Sequence, residues 1–290
     1  MATKHLTDHL LALSTLSSSF TRATQHPFLT AAGNGSLPTS ILTKWLVQDI
    51  HYTRAYIRFI GGLLSQLYIP TSLFKSASVP AQSHSKQARK GDNEDDTYSA
   101  ARQKDLQARI FDVLTSALTN IQRETQFFED VAEEYGLSLD LTAEPEPITR
   151  AYMSMFDSMR QGSGRGGLLE GLTVLWATEI CYNQAWTHAK RQMQNAGGQN
   201  EGSPGSKEDE RAMLALHAAF IPNWTSPDFE AFVDEIKGVL DAAAEEEGLM
   251  ESGRQGSGSH SESNGKIMLK RCERAWEQVL WLEESFWPDV

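Results

Sequence analysis

The chain has 290 residues, 40% of them hydrophobic, a formal net charge of −12 at pH 7 and a mean hydropathy of −0.40 with a pI near 5.1. That balance argues against a nucleic-acid partner and against an anionic membrane surface, both of which select basic patches. No apolar run reaches the roughly 18 residues that would mark a membrane span, Met1 to Leu16 lacks the pattern of a secretory signal, and two cysteines, Cys181 and Cys272, give neither a disulfide framework nor zinc spacing. The expectation is a soluble, cytoplasmic protein with enough chain for one sizeable domain, which would bury roughly three-quarters of its unfolded surface.

Residues 4 to 25 predict a first helix with Leu6, Leu10, Leu13 and Phe20 on its apolar side. His26-Pro27-Phe28 ends it, because a residue before proline is pushed out of the α region. Gly33-Asn34-Gly35 predicts a turn, and a long helix follows over about 39–68. Residues 76–100 lose all periodicity and carry serines, lysines and acids, the composition of a solvated insertion. Helix resumes from about 101 to Tyr135 and stops at Gly136. Pro145 and Pro147 bracket a loop before a helix over 148–160, and a glycine-rich connection, Gln161 to Gly167, leads to a helix over 168–194. A second insertion, 195–207, precedes helices over 208–219 and 226–247 that flank Ile221-Pro222-Asn223-Trp224. A third, 248–265, precedes the C-terminal helix over 266–287. Nothing alternates as a strand. The prediction is a single all-α bundle, 1–290, with flexible insertions at 76–100, 195–207 and 248–265.

Three carboxylates interrupt aromatic, apolar stripes at helical spacing: Asp49 within Trp45, Tyr52, Tyr56 and Phe59; Glu179 within Leu175, Trp176, Tyr182 and Trp186; Glu283 within Val279, Leu280, Phe286 and Trp287. Steps of three and four keep side chains on one face, so each acid is expected to point inward. A lone inward acid is usually a structural hydrogen-bonding partner. Three from distant parts of the chain, each beside aromatics, point to one aromatic-lined polar pocket.

A di-iron site would need a Glu-x-x-His step on two helices, and none of the eight histidines has a glutamate three residues before it. Gly162 to Gly167 follows no strand and lacks Gly-Lys-Ser/Thr, so it is read as a loop and not a phosphate cradle. Cys181 falls about 200° around an ideal helix from Glu179 and is read as a small buried hydrophobe. Acid–base chemistry fits best. Carboxylates in one pocket can have their pKa values driven apart, giving a proton donor and an ionised partner, and a planar basic heterocycle suits the aromatics and the amidine-binding acids.

His26-Pro27-Phe28, Gly33 to Pro38 and Trp45 to Tyr52, with Phe229 and Phe232 after Trp224-Thr225-Ser226 and the closing Glu283-Glu284-Ser285-Phe286-Trp287, together resemble the TenA (thiaminase II-like) family. The resemblance implies an all-α, haem-oxygenase-like helical bundle that assembles as a homodimer or tetramer, needs no cofactor or metal, and takes a small aminopyrimidine in thiamin pyrimidine salvage. By analogy Asp49 grips the amino and ring-nitrogen edge, Tyr52 supports it, Tyr182 and Trp224 line the pocket, and Glu283 protonates the leaving amine. If Tyr182 matches the motif tyrosine, Thr178 stands where the family's main class has its cysteine. Trp176-Ala177-Thr178-Glu179-Ile180-Cys181-Tyr182 is similar to the class in which glutamate replaces cysteine. For that class the resemblance implies C–N hydrolysis of aminopyrimidine or its N-formyl form, with Glu179 as a second catalytic residue. A binding protein that keeps the pyrimidine pocket without catalysis is the competing expectation. Haem or di-iron chemistry is a weaker third, tempted only by His26.

Overall fold

The computed structural model describes residues 5–68, 94–160, 165–196, 206–249 and 259–290, and all regular structure among them is helical. The N-terminal segment forms two short helices, α1 (Leu6–Leu11) and α2 (Ser17–Thr24), in place of the single helix expected over 4–25. The break falls in a serine- and threonine-rich stretch, where tighter turns form, Leu13 N–H to Leu10 and Leu16 N–H to Leu13, and where the Ser17 hydroxyl donates to the Ser14 carbonyl.

His26 to Gly35 also differ from expectation. They are the two ends of a further helix, α3 (Pro27–Asn34). His26 caps its start, its Nδ1 accepting from the Phe28 N–H at 3.2 Å, and Pro27 supplies a pre-set φ at the first helical position. Gly35 ends it in the left-handed region at φ 80°, after which the Ser36 and Leu37 amides reach back to the Ala31 carbonyl. The histidine is thus a structural helix cap.

The long helices follow: α4 (Thr39–Leu64), α5 (Glu94–Tyr135), α6 (Pro147–Arg160) and α7 (Arg165–Ala196). Next come α8 (Lys207–Ala215), a π-helical turn over Leu216–Phe220, and the single turn α9 (Ile221–Trp224). The chain closes with α10 (Pro227–Glu246) and α11 (Ser259–Phe286). Residues 94–100 and 259–265 are helical, which trims the expected insertions at 76–100 and 248–265. The rest of 76–100 and 250–258, most of 195–207 and 161–164 of the glycine-rich connection lie outside the described residues.

Helix α7 is the hub: α2, α3, α9, α10 and α11 all pack on it, while α6 lies against α4. Gln48 fastens that second pair, accepting from the Glu146 N–H and the Thr149 hydroxyl and donating to the Glu144 carbonyl. An aromatic cluster fills the space beside α7. Trp186 stacks on Trp224 with ring centroids 4.5 Å apart, Trp224 on Phe220 at 5.5 Å, and Trp45 on Trp287 at 5.7 Å. The Trp287 indole N–H ties α11 to the Ala23 carbonyl.

The close approach of α3 to α7 depends on Gly33. A Cβ there would lie 2.2 Å from the Ala189 carbonyl oxygen and 2.6 Å from the Gln192 Cβ. Gly33→Ala is therefore expected to destabilise by about 1–3 kcal/mol, read as a lower urea midpoint at unchanged slope. An unchanged midpoint would show that the two helices separate without cost.

Candidate functional site

Helical phase brings acids from three helices to one small cavity. Asp49 and Tyr52 are one turn apart on α4, Thr178, Glu179 and Tyr182 share a face of α7, and Ile121 and Glu124 come from α5. Trp224, delivered by the π turn and α9, and Phe229, from the first turn of α10, complete the lining. A π turn adds a residue within a helical run and commonly marks a functional site. The cavity measures about 30 Å³, room for a water or two and far below the several hundred Å³ of a ligand pocket. A heterocycle therefore enters only if lining side chains move.

Each acid is held by an aromatic donor. Tyr182 donates to Asp49 at 3.0 Å, Tyr56 to Glu179 at 2.6 Å, Tyr152 to Glu283 at 2.6 Å, and the Trp224 indole N–H to Glu124 at 2.6 Å. Of the six residues expected to form a site, Asp49, Tyr52, Glu179, Tyr182 and Trp224 line the cavity. Glu283 does not. It is buried one side chain behind the wall, against Tyr152, whose ring meets Tyr52 edge-on at 5.1 Å. Three participants went unrecognised in the sequence: Glu124, Tyr152, and Tyr56 as the partner of Glu179.

The electrostatics correct one expectation. The acids are not driven apart into a proton donor and an ionised partner. All four are displaced upward. Burial, then the Glu124 charge, pushes Asp49 well above the ordinary carboxylate range, against the Tyr182 hydrogen bond. Burial raises Glu179 to about 8, partly offset by Tyr56 and reinforced by Glu124. Burial raises Glu283 to about 8, partly offset by Tyr152 and reinforced by Glu179. Glu124 rises to about 7 through burial, against the Trp224 bond. The cause is common: no lysine or arginine lines the cavity, so ionised forms lose hydration and meet like charges, which outweighs the single aromatic donor each one has.

Thr178 lines the cavity with its hydroxyl donating to the Leu175 carbonyl. Cys181 is fully buried, away from that lining, and burial holds its thiol well above its usual value. It lacks the exposure and thiolate character of a nucleophile. Among the described residues, no three His, Cys, Asp or Glu side chains are grouped to hold a metal ion, and no helix is long and apolar enough to cross a membrane.

A model of the TENA/THI-4/PQQC family matches residues 96–252. The chain belongs to this family. The matched span carries Glu124, Glu179, Tyr182 and Trp224, while Asp49 and Glu283 lie outside it. Among solved structures, a TenA homologue from Pyrococcus furiosus superposes with a TM-score of 0.62 at 20% identity, over 97% of this chain and 98% of that one. This places the chain in the helical, haem-oxygenase-like fold of TenA proteins. A Fusarium pseudograminearum (strain CS3096) protein described as a probable transcription factor is 29% identical over 289 residues, 93% of this chain and 49% of that protein. A Glycine max protein described as a probable bifunctional TENA-E protein is 21% identical over 166 residues, 57% of this chain and 56% of that one. The chain thus spans about half the length of the curated relatives it matches.

Proposed function

We propose that this TENA/THI-4/PQQC family chain is a hydrolase of thiamin pyrimidine salvage, cleaving a C–N bond of aminopyrimidine or its N-formyl form by carboxylate acid–base chemistry. It is read as a member of the class in which glutamate stands in for cysteine. The observation that carries the reading is the cavity wall itself, which Asp49, Thr178, Glu179 and Tyr182 line together with aromatic rings. Asp49 pairs with the amino and ring-nitrogen edge of the pyrimidine, and Tyr52, Tyr182 and Trp224 pack against the ring. The exocyclic C–N bond breaks with its electron pair going to nitrogen, a proton from Glu283 reaches that nitrogen, and ammonia leaves from the unformylated substrate. Water held by Glu179 adds to the exposed carbon and gives up a proton to the Glu283 carboxylate left by the first step, forming hydroxymethylpyrimidine. Entry of the ring displaces lining side chains, and movement at Tyr52 and Tyr152 is what brings Glu283 to the leaving nitrogen.

The description of the Fusarium relative points elsewhere, but about half of that protein lies beyond the match, and a net charge of −12 disfavours contact with a polyphosphate backbone. A pyrimidine-binding protein without catalysis is the second reading, favoured by the inert position of Cys181. One experiment separates the two. Purified protein is incubated with aminopyrimidine and with its N-formyl form, and released hydroxymethylpyrimidine, ammonia and formate are quantified. Release that disappears in Glu179→Gln and Glu283→Gln supports the hydrolase and identifies the bond cut. Stoichiometric pyrimidine binding without product supports the binder.

A further inference from the structure

Glu124 takes no part in the hydrolysis argued above, yet it occupies the threshold of the pocket. Together with Trp224 and Phe229 it lines both the inner cavity and an adjoining outer groove of about 350 Å³, whose other walls include Asn120, Arg123, Phe127 and Asp228. Its position is fixed from one side. The Trp224 indole N–H donates to Oε1 at 2.6 Å, and that indole is itself clamped between Trp186 and Phe220. A ligand passing from groove to cavity must therefore pass a carboxylate that is held in place.

The chemistry of the inner lining says what such a ligand should carry. Asp49, Glu124 and Glu179 line the cavity with no lysine, arginine or histidine beside them, and Arg123 belongs to the outer groove. One acid is satisfied by an amidine-like ring edge at Asp49. A second, on a different helix, has no such use for a neutral substituent. We propose that Glu124 is a specificity-determining residue that selects pyrimidines bearing an ammonium group over their neutral hydroxyl or formamido counterparts. The assignment rests on the pyrimidine reading given above and resolves the choice that reading leaves open between the amine and its N-formyl form. An ammonium offers a charge-assisted bond inside a largely desolvated pocket, whereas a formamide N–H offers a neutral donor that is roughly half as strong. The bound ammonium gives one proton to the Glu124 carboxylate before the C–N bond breaks, which leaves the neutral amine that Glu283 protonates. Glu124 and its neighbours Asp49 and Glu179 oppose one another's ionisation, and a ligand that brings positive charge favours it.

The test is stopped-flow tryptophan fluorescence on the full chain, which reads binding before turnover, with aminomethyl-pyrimidine as the cation and hydroxymethyl-pyrimidine as its neutral analogue. The wild type is expected to prefer the cation by about tenfold or more. Glu124→Gln, whose amide oxygen still accepts from Trp224, is expected to lose that preference while its affinity for the hydroxymethyl form stays within about threefold. Glu124→Asp, which keeps the charge, should retain part of the preference. A wild type that binds both pyrimidines equally, or a Glu124→Gln variant that still prefers the cation, overturns the role of Glu124 and leaves the pyrimidine pocket standing. A wild type that binds neither overturns the pyrimidine reading and this assignment together. If Glu124→Gln fails to fold, as judged by near-ultraviolet circular dichroism, the wild-type ratio and Glu124→Asp decide the matter.

Discussion

Glu283→Gln is expected to lower turnover of the aminopyrimidine by about 10²- to 10⁴-fold, the range a positioned general acid supplies, while leaving pyrimidine binding nearly unchanged. The asymmetry follows from where Glu283 stands. It is 3% exposed, receives the Tyr152 hydroxyl at 2.6 Å, and lies behind the cavity wall, where it contributes little to holding the ring. Burial raises its carboxyl to about 8, the Tyr152 bond pulling it down and the Glu179 charge pushing it up. At pH 7 the group therefore holds a proton it can give. Glutamine keeps the shape and accepts from Tyr152, but it has no transferable acid proton. An interaction made only in the transition state is lost from kcat and not from ground-state binding. Single-turnover rates alongside ligand dissociation constants give the two quantities separately. A variant that turns over like the wild type would remove Glu283 from the mechanism, and one that loses rate and binding equally would make it a ligand contact.

Much of this site was legible because a carboxylate on an apolar stripe is a conspicuous exception. Asp49, Glu179 and Glu283 stood out for that reason, and the three helices carrying them do bring their acids to one region. Glu124 carried the same signature. The buried side chains of α5 run Leu114, Ala117, Ile121, then Phe128 and Val131, and Glu124 falls in step with them, three residues after Ile121 and four before Phe128. It does not stand out in the sequence because α5 also bears many exposed acids, among them Glu129, Glu133 and Glu134, and only the phase of the helix distinguishes one inward acid from its solvated neighbours. Tyr152 offered no comparable signal. A tyrosine among Met155 and Phe156 reads as ordinary core until the hydroxyl is seen on Glu283.

The fold was legible in its long helices and not at their ends. The continuous stripe of α4 needed only its helical period to be recognised, whereas His26 to Gly35 was read as a break followed by a turn. Proline at a first helical position and glycine just past the last one are punctuation for breaks and for helices alike. What selects a helix there is tertiary: α3 lies on α7 so closely that Gly33 faces the Ala189 carbonyl directly. The pKa pattern was illegible for a similar reason. Whether neighbouring acids split their titrations or rise together depends on which charges surround them. The absence of a cation from the cavity lining is a property of the packed helices, visible in no single stripe.

That missing cation makes the protein's stability fall with rising pH where many proteins are level. Unfolded glutamates titrate near about 4.3, whereas Glu179 and Glu283 in the fold titrate at about 8. Between those values the folded chain binds more protons than the unfolded one, so the free energy of unfolding declines as pH rises. The stabilisation is fully present below the unfolded value and is lost once pH passes about 8. Each acid contributes a slope of up to about 1.4 kcal/mol per pH unit, and Glu124 adds to the lower part of the window, up to about 7. At the acid end the sign reverses. The Thr39 amide and the Ser206 and Thr39 hydroxyls hold Asp209 below its usual value, and Thr142 does the same for Asp140. Those acids add stability that is lost as pH falls through their folded values, which puts the most stable pH at about 4. Urea unfolding of the wild type at several pH values between about 5 and 8 should show the decline, and Glu179→Gln combined with Glu283→Gln should flatten it and raise stability at its alkaline end. Half-buried His26 and His188, held below their usual value, add a rise up to about 6.5 that is common to wild type and double variant. A double variant with the same slope as the wild type would therefore mean that these carboxyls are ionised in the fold. Glu283 would then hold no proton at neutral pH to deliver to a leaving amine, so a thermodynamic measurement on the ligand-free chain bears directly on its role in catalysis.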